Sequence, residues 1–315
     1  MKAYLRLRAR VLGRQLAELG WVRLALLGPL FIAAVGNTLF TVARWPQGHW
    51  ALPALLLVFT FSAHRRRTDL LGLAIIAPQH RIWLMAEYAL LALPAFLILL
   101  LFEHWPAALL TLFSTPCVAW ASPAVARASR SRPRSFFRSE AFEWVGGFRQ
   151  LGAWWMWLLI LGVALALRAY PTATAASLVV WTVIAAPIYS TPEPTAMLLV
   201  AAKQPGAYLA RRLVLGLVYY LLTTAPLLFL LLVGPAGPAG AALLLLWGTA
   251  VWTMVVLAKY SFYPNATLIR LTQGGMVALG LLLLASNPVY GALFAAAFGG
   301  VIFKSRRQLW QYRYD

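Results

Sequence analysis

The stretch His64–Glu87, HRRRTDLLGLAIIAPQHRIWLMAE, decides how the rest of the chain reads. It leaves one apolar segment through three arginines, makes a short greasy run, stops at Pro78 and re-enters apolar sequence through Arg81. Thr68 is placed to cap a helix, and Asp69 falls in the first turn, where the helix dipole favours a carboxylate. Leu70, Leu71, Leu73, Ile75 and Ile76 follow. The helix this predicts has about ten residues, against the roughly 20 needed to cross a bilayer. It is therefore expected as an elbow, a short apolar helix held at the membrane surface between two spans.

A similar object recurs downstream. Thr191-Pro192-Glu193-Pro194 supplies a cap, a proline at the first helical position and a first-turn acid. Met197, Leu198, Leu199 and Val200 form the body, Gln204-Pro205-Gly206 stops it, and Arg211-Arg212 lead back into apolar sequence.

Composition fixes the setting. The 315 residues are 62% hydrophobic and 11% charged, whereas a soluble domain carries about a quarter charged residues. The chain reads as an all-α polytopic membrane protein with almost no soluble mass, and no cleavable signal peptide is expected from its basic N-terminus. The net charge of +19 is explained by the positive-inside bias rather than by nucleic acid. A single cysteine, Cys117, leaves no intrachain disulfide and no thiolate metal cluster. No Gly-rich phosphate loop is present, so any energy from ATP must come from another chain.

Taken in order, residues 1–20 predict a basic amphipathic helix lying in the headgroup plane. Leu5, Ala9, Leu12, Leu16 and Leu19 share its apolar face, while Leu7 and Arg8 break the pattern. Residues 21–126 predict a four-helix unit with the elbow at 64–81. Residues 127–152 are a basic loop followed by a second interfacial helix anchored by Phe137, Phe142, Trp144 and Phe148. Residues 153–260 predict a second four-helix unit with its elbow at 191–212. Residues 261–315 hold a C-terminal apolar pair, spanning or re-entrant, and a basic tail.

The expectation is about ten transmembrane helices in two repeated four-helix units plus that pair, with both termini cytoplasmic in the inner membrane. Of 27 Lys and Arg, this arrangement puts only Arg44 and Arg168 outside. The repeat is supported by Arg14-Gln15-Leu16 against Arg149-Gln150-Leu151, and by Pro94 and Pro226 each within the span after an elbow.

Catalytic machinery is not legible: the four histidines are scattered without metal-ligand spacing, and no paired carboxylates or Ser/His/Asp set can be read. Neither an enzyme, a metal nor a cofactor is expected. Glu87 is the one acid expected within a span, and an intramembrane acid is a functional candidate by default. The blander reading makes it a partner for Arg81 or Arg23.

The elbows suggest docking: Asp69 with Leu70, Leu71 and Leu73, and Glu193 with Met197 and Leu198, present apolar side chains that could seat in a partner's cleft, with an acid fixing register. With the N-terminal interfacial helix, this layout resembles the membrane subunit of an ATP-binding-cassette exporter of the second type. The Asp-Leu-Leu…Pro run is similar to the acidic, leucine-rich loop of EcsB-type permeases. The expected count of ten spans exceeds the six common in such permeases, and the EcsB-type loop is shorter between Asp and Pro.

The resemblance implies a permease moving a lipid-like or peptide-like substrate, with a separate ATPase subunit as partner and docking through those seven residues. Membrane lipid surrounds it, a homodimer is one arrangement, and nucleic acid is not a partner. The alternatives are a non-transporting anchor, an envelope or lipid assembly protein, or a secondary carrier.

Overall fold

A computed structural model describes residues 2–44, 48–65, 67, 70–77, 79–121, 140–151, 153–193, 205–284 and 287–311. The chain is helical throughout these residues and divides into two compact units, residues 1–134 and 135–315.

In the first unit, α1 (Lys2–Leu19) ends at Gly20, whose φ of 80° is the left-handed conformation that closes a helix at little cost to glycine. Helix α2 (Trp21–Arg44) follows, then a 3-10 turn (Gly48–Trp50) leading into α3 (Ala51–Arg65). The elbow is α4 (Leu70–Ile76), shorter than expected at 7 residues. Helices α5 (His80–Leu101) and α6 (Trp105–Cys117) pack against each other, and α3 packs on α6. Between α5 and α6, Glu103 takes a positive φ of 61°. Glu103 N–H donates to Leu100 O and His104 N–H to Leu99 O, both at 2.9 Å, the paired closure that ends a helix and turns the chain. Leu99, Ala107, Ala108, Val42, Ala43 and Leu52 are buried around this turn.

The second unit begins with α7 (Phe142–Leu151), α8 (Ala153–Ala166) and α9 (Pro171–Ala185), the last continued by a 3-10 turn (Ala186–Tyr189). Then come α10 (Pro205–Val233), α11 (Gly237–Ser261), α12 (Ala266–Leu283) and α13 (Pro288–Gln311). Helix α11 is central and packs on α9, α10, α12 and α13. Its first half faces outward, with Leu243 64% and Leu246 70% exposed, and its second half is enclosed by protein. Val251, Trp252, Met254, Val255, Val256 and Ala258 are each 0% exposed.

An aromatic core joins the elements. Trp252 stacks on Tyr220 at 4.7 Å and its indole donates to Gly216 O at 3.0 Å. Trp157 donates to Thr223 O at 2.8 Å and Trp181 to Thr223 Oγ1 at 3.1 Å. Both bonds fall just before Pro226, which has no N–H to contribute to its own helix. Gln273, buried on α12, donates to Tyr189 O and Val255 O at 3.1 and 3.0 Å and so pins α12 to two elements.

Six described helices are long and apolar enough to cross a membrane: α5, α9 with its 3-10 extension, α10, α11, α12 and α13, with a seventh if α7 and α8 count as one bent span. Among the described residues that makes six or seven, against about ten expected, and neither the count of ten nor the repeated layout is confirmed. Of the segments expected as spans, 48–63 forms the 3-10 turn and the 15-residue α3, the described part of 107–126 holds the 13-residue α6 continued by a 3-10 turn (Val118–Trp120), and 153–167 holds the 14-residue α8, against ~20 residues for a span. The first helix of the C-terminal pair, α12, starts at Ala266. Asn265 caps α12 by accepting from Thr267 N at 3.0 Å and Leu268 N at 3.1 Å. Each half of the C-terminal pair has the length of a full span.

Candidate functional site

The chain carries few charges, and the structure places three of its eight acids, Glu87, Glu143 and Glu193, in two buried or half-buried clusters, one per unit. In the first, Glu87 lies on the second turn of α5. Its carboxylate accepts from Arg8 Nη2 at 2.8 Å, Arg67 Nη1 at 3.0 Å and Tyr4 OH at 2.5 Å. Arg67 also donates to Tyr4 OH at 3.2 Å, and the Tyr4 ring stacks on Trp83 at 5.5 Å. One carboxylate thus ties α1, the start of the elbow and α5 together. The partners expected for Glu87 were Arg81 or Arg23; instead Arg81 lies over the Trp120 ring at 5.5 Å, and the side chain of Arg23 lies outside the described residues. Arg8, which breaks the amphipathic pattern of α1, is the residue that reaches Glu87.

The second cluster is deeper. Lys259, near the end of α11, is 0% exposed and donates to Glu193 Oε1 at 2.9 Å and Glu143 Oε1 at 3.2 Å. Glu193 also accepts from Tyr260 OH at 2.9 Å and from Tyr208 OH, and its backbone carbonyl accepts from Tyr263 OH at 2.8 Å. Arg212 Nη1 donates to Glu140 O at 2.8 Å, lies 3.5 Å from Glu143 Oε2, and its guanidinium stands 4.5 Å over the Phe142 ring.

Two cations face two carboxylates, so the cluster is close to neutral, the condition under which charges persist away from water. It joins α7, the start of the second elbow, α10 and α11. Burial raises the Glu193 carboxyl, but the Lys259 ammonium and the Tyr208 hydroxyl outweigh it and hold the group down at about 2.

The residues expected to dock a partner are distributed differently. Glu193 is 5% exposed and engaged inside its own unit, which removes it from an outward docking face. Leu70 is 4% exposed and packs with Leu84, Tyr88, Val118 and Ala119 inside unit 1. Leu73 is half-buried, and the exposed face of α4 is Gly72, Ala74 and Ile75, with Ile75 85% exposed. Asp69, Met197, Leu198 and the side chain of Leu71 lie outside the described residues.

His64, at the end of α3, is buried and shares hydrogen bonds with Tyr88 OH at 2.7 Å and Ala121 O at 3.1 Å, a structural role. Among the described residues, no three His, Cys, Asp or Glu side chains are grouped to hold a metal.

Sequence reasoning passed over Lys259, although a cation inside an otherwise apolar helix is as telling as an intramembrane acid. Tyr4, Tyr208 and Tyr260 carry no such signal, because tyrosine is ordinary at both ends of a membrane helix.

Six apolar helices of spanning length define the class: this is a multi-pass membrane protein. No protein-family model, curated protein or solved structure matches the chain.

Proposed function

We propose that the chain is the permease subunit of an ATP-binding-cassette exporter in the inner membrane, with both termini cytoplasmic. In this reading a separate ATPase subunit supplies the energy to move a lipid-like or peptide-like substrate. The observation that carries it is α4, a 7-residue helix between α3 and α5 that holds itself with Leu70 and turns Ile75 outward at 85% exposure. A short stiff element anchored on one side and apolar on the other suits the transmission of force from a soluble subunit.

The Glu87 cluster supports the same reading. It clamps α1 and the start of the elbow to α5, so a push on α4 is delivered to a spanning helix rather than lost in a loose loop. The helix order in each unit also fits a repeated layout. Arg8 precedes Arg14 by 6 residues, and Glu143 precedes Arg149 by 6. Each belongs to the first helix of its unit and reaches the cluster beside an elbow.

In this proposal the docking face is Ile75 with Ala74 and Gly72, flanked by Asp69 and Leu71, while Leu70 is the internal anchor. At the second elbow Glu193 is the internal residue, and Met197 and Leu198 are the docking candidates on their sequence alone. A few central residues carry most of an interface's energy, at ~2 kcal/mol or more each. Ile75→Asp should therefore release an ATPase that co-purifies with the wild-type protein from native membranes, and leave the thermal stability of the membrane protein unchanged. Leu71→Asp is expected to do the same. If wild type brings down no ATPase, the anchor or assembly reading takes precedence.

A further inference from the structure

The last helix ends in a feature that neither cluster explains. Along α13, Gly300, Phe303, Lys304, Arg307 and Gln308 line one open groove of about 450 Å³. The lining changes character along the helix: Gly300 and Phe303 come first, and Phe303 is 69% exposed. Lys304, Arg307 and Gln308 follow toward the C-terminal end.

The Lys304 ammonium stands 3.6 Å from the centre of the Phe262 ring, so it is held at the groove rather than swung away. Gln308, on the same helix face, donates through Nε2 to Tyr263 O at 3.2 Å and ties this end of α13 to the turn before α12. From Gly300 to Arg307 the rise is about 10 Å, similar to the step from upper acyl chain to phosphate in a phospholipid. Residues 262–311 contain Arg270, Lys304, Arg306 and Arg307 and no acid, so these two helices bring no carboxylate to compete for the cations.

We infer that this groove binds one anionic phospholipid, its acyl chain against Phe303 and Gly300 and its phosphate between Lys304 and Arg307. Basic residues grouped beside a spanning helix attract acidic headgroups at roughly 1 kcal/mol each, about five-fold in affinity per charge. The site requires only the membrane setting, and it stands or falls independently of any ATPase.

Native mass spectrometry of the purified full chain in detergent, titrated with phosphatidylglycerol or phosphatidylcholine, tests it. One phosphatidylglycerol should be retained in preference to phosphatidylcholine. Arg307→Gln, a change at an exposed position, should cut retention about five-fold, and Lys304→Gln with Arg307→Gln about 25-fold. Phe303→Ala should weaken both lipids alike, and Arg10→Gln, a basic residue on another helix, should change nothing. Retention of phosphatidylcholine equal to that of phosphatidylglycerol, an equal loss in Arg10→Gln, or displacement of the lipid by millimolar inorganic phosphate would each overturn the assignment. Melting temperatures of the variants within a degree or two of wild type keep any loss attributable to the groove.

Discussion

At the scale of single residues, Lys259 has the most consequence. An ammonium at 0% exposure is tolerated because Glu193 and Glu143 both accept from it. Lys259→Met leaves two carboxylates inside the unit against one guanidinium, and breaking a buried pair from one side costs ~3–5 kcal/mol. Thermal unfolding in detergent should show that loss, and Lys259→Met with Glu193→Gln should recover part of it, since the second change removes the stranded charge.

Acid should act on the same pair. The Glu193 carboxyl is held at about 2 against an ordinary value of 4.5, so its contribution is complete above pH ~4.5 and is lost as pH falls toward 2. The melting temperature of wild type should therefore drop more steeply between pH 5 and pH 3 than that of Glu193→Gln. Equal slopes would mean that Lys259 is neutralised by other groups.

At the scale of elements, close approach is set by what is missing from a residue. Helix α12 lies so near α11 at Gly280 that a Cβ there would come within 2.5 Å of Val251 Cγ2. The Gly280 carbonyl accepts from Trp247 Nε1 at 2.8 Å, so the backbone cannot retreat without losing that bond. Gly280→Ala raises helix propensity by about 1 kcal/mol, yet overpacking costs typically 1–3 kcal/mol. A net destabilisation is expected, read as a lower melting temperature. Gly299, where a Cβ would meet nothing within 4 Å, is the matched control, and alanine there should be neutral or stabilising.

The elbow follows the same logic. Among its described side chains, buried Leu70 holds the helix to unit 1 and Ile75 is turned outward.

At the scale of the whole molecule, five of the six helices of spanning length found among the described residues fall in residues 135–315 and one, α5, in residues 1–134. If α10 to α13 each cross, the turns at 234–236 and 284–287 share one face and the link at 262–265 the other. Single cysteines at positions 236, 264 and 287, introduced after Cys117→Ala, should label from the outside, the cytoplasm and the outside respectively with an impermeant thiol reagent. Labelling of 236 and 287 from opposite faces would mean that α11 or α12 turns back within the bilayer.

The sequence by itself determined the class and the punctuation of this protein. Hydropathy, proline and arginine placement marked most helices and the first elbow, because a bilayer forces long apolar runs and rejects charge between them. It did not determine where each apolar run stays α-helical: α3, α6 and α8 read as spans, and their described α-helical parts have 15, 13 and 14 residues, with 3-10 turns adjoining α3 and α6. Helix termini depend on turns and contacts that no window average contains.

Nor could it show that Glu193, read as an outward acid at a helix start, points inward to a lysine 66 residues away, or that Arg8 crosses to a carboxylate 79 residues away. Local pattern reports the face a side chain occupies on its own helix. Only the tertiary structure decided which other helix covers that face, because the cost of burying a charge is met by whichever partner the packing brings within reach.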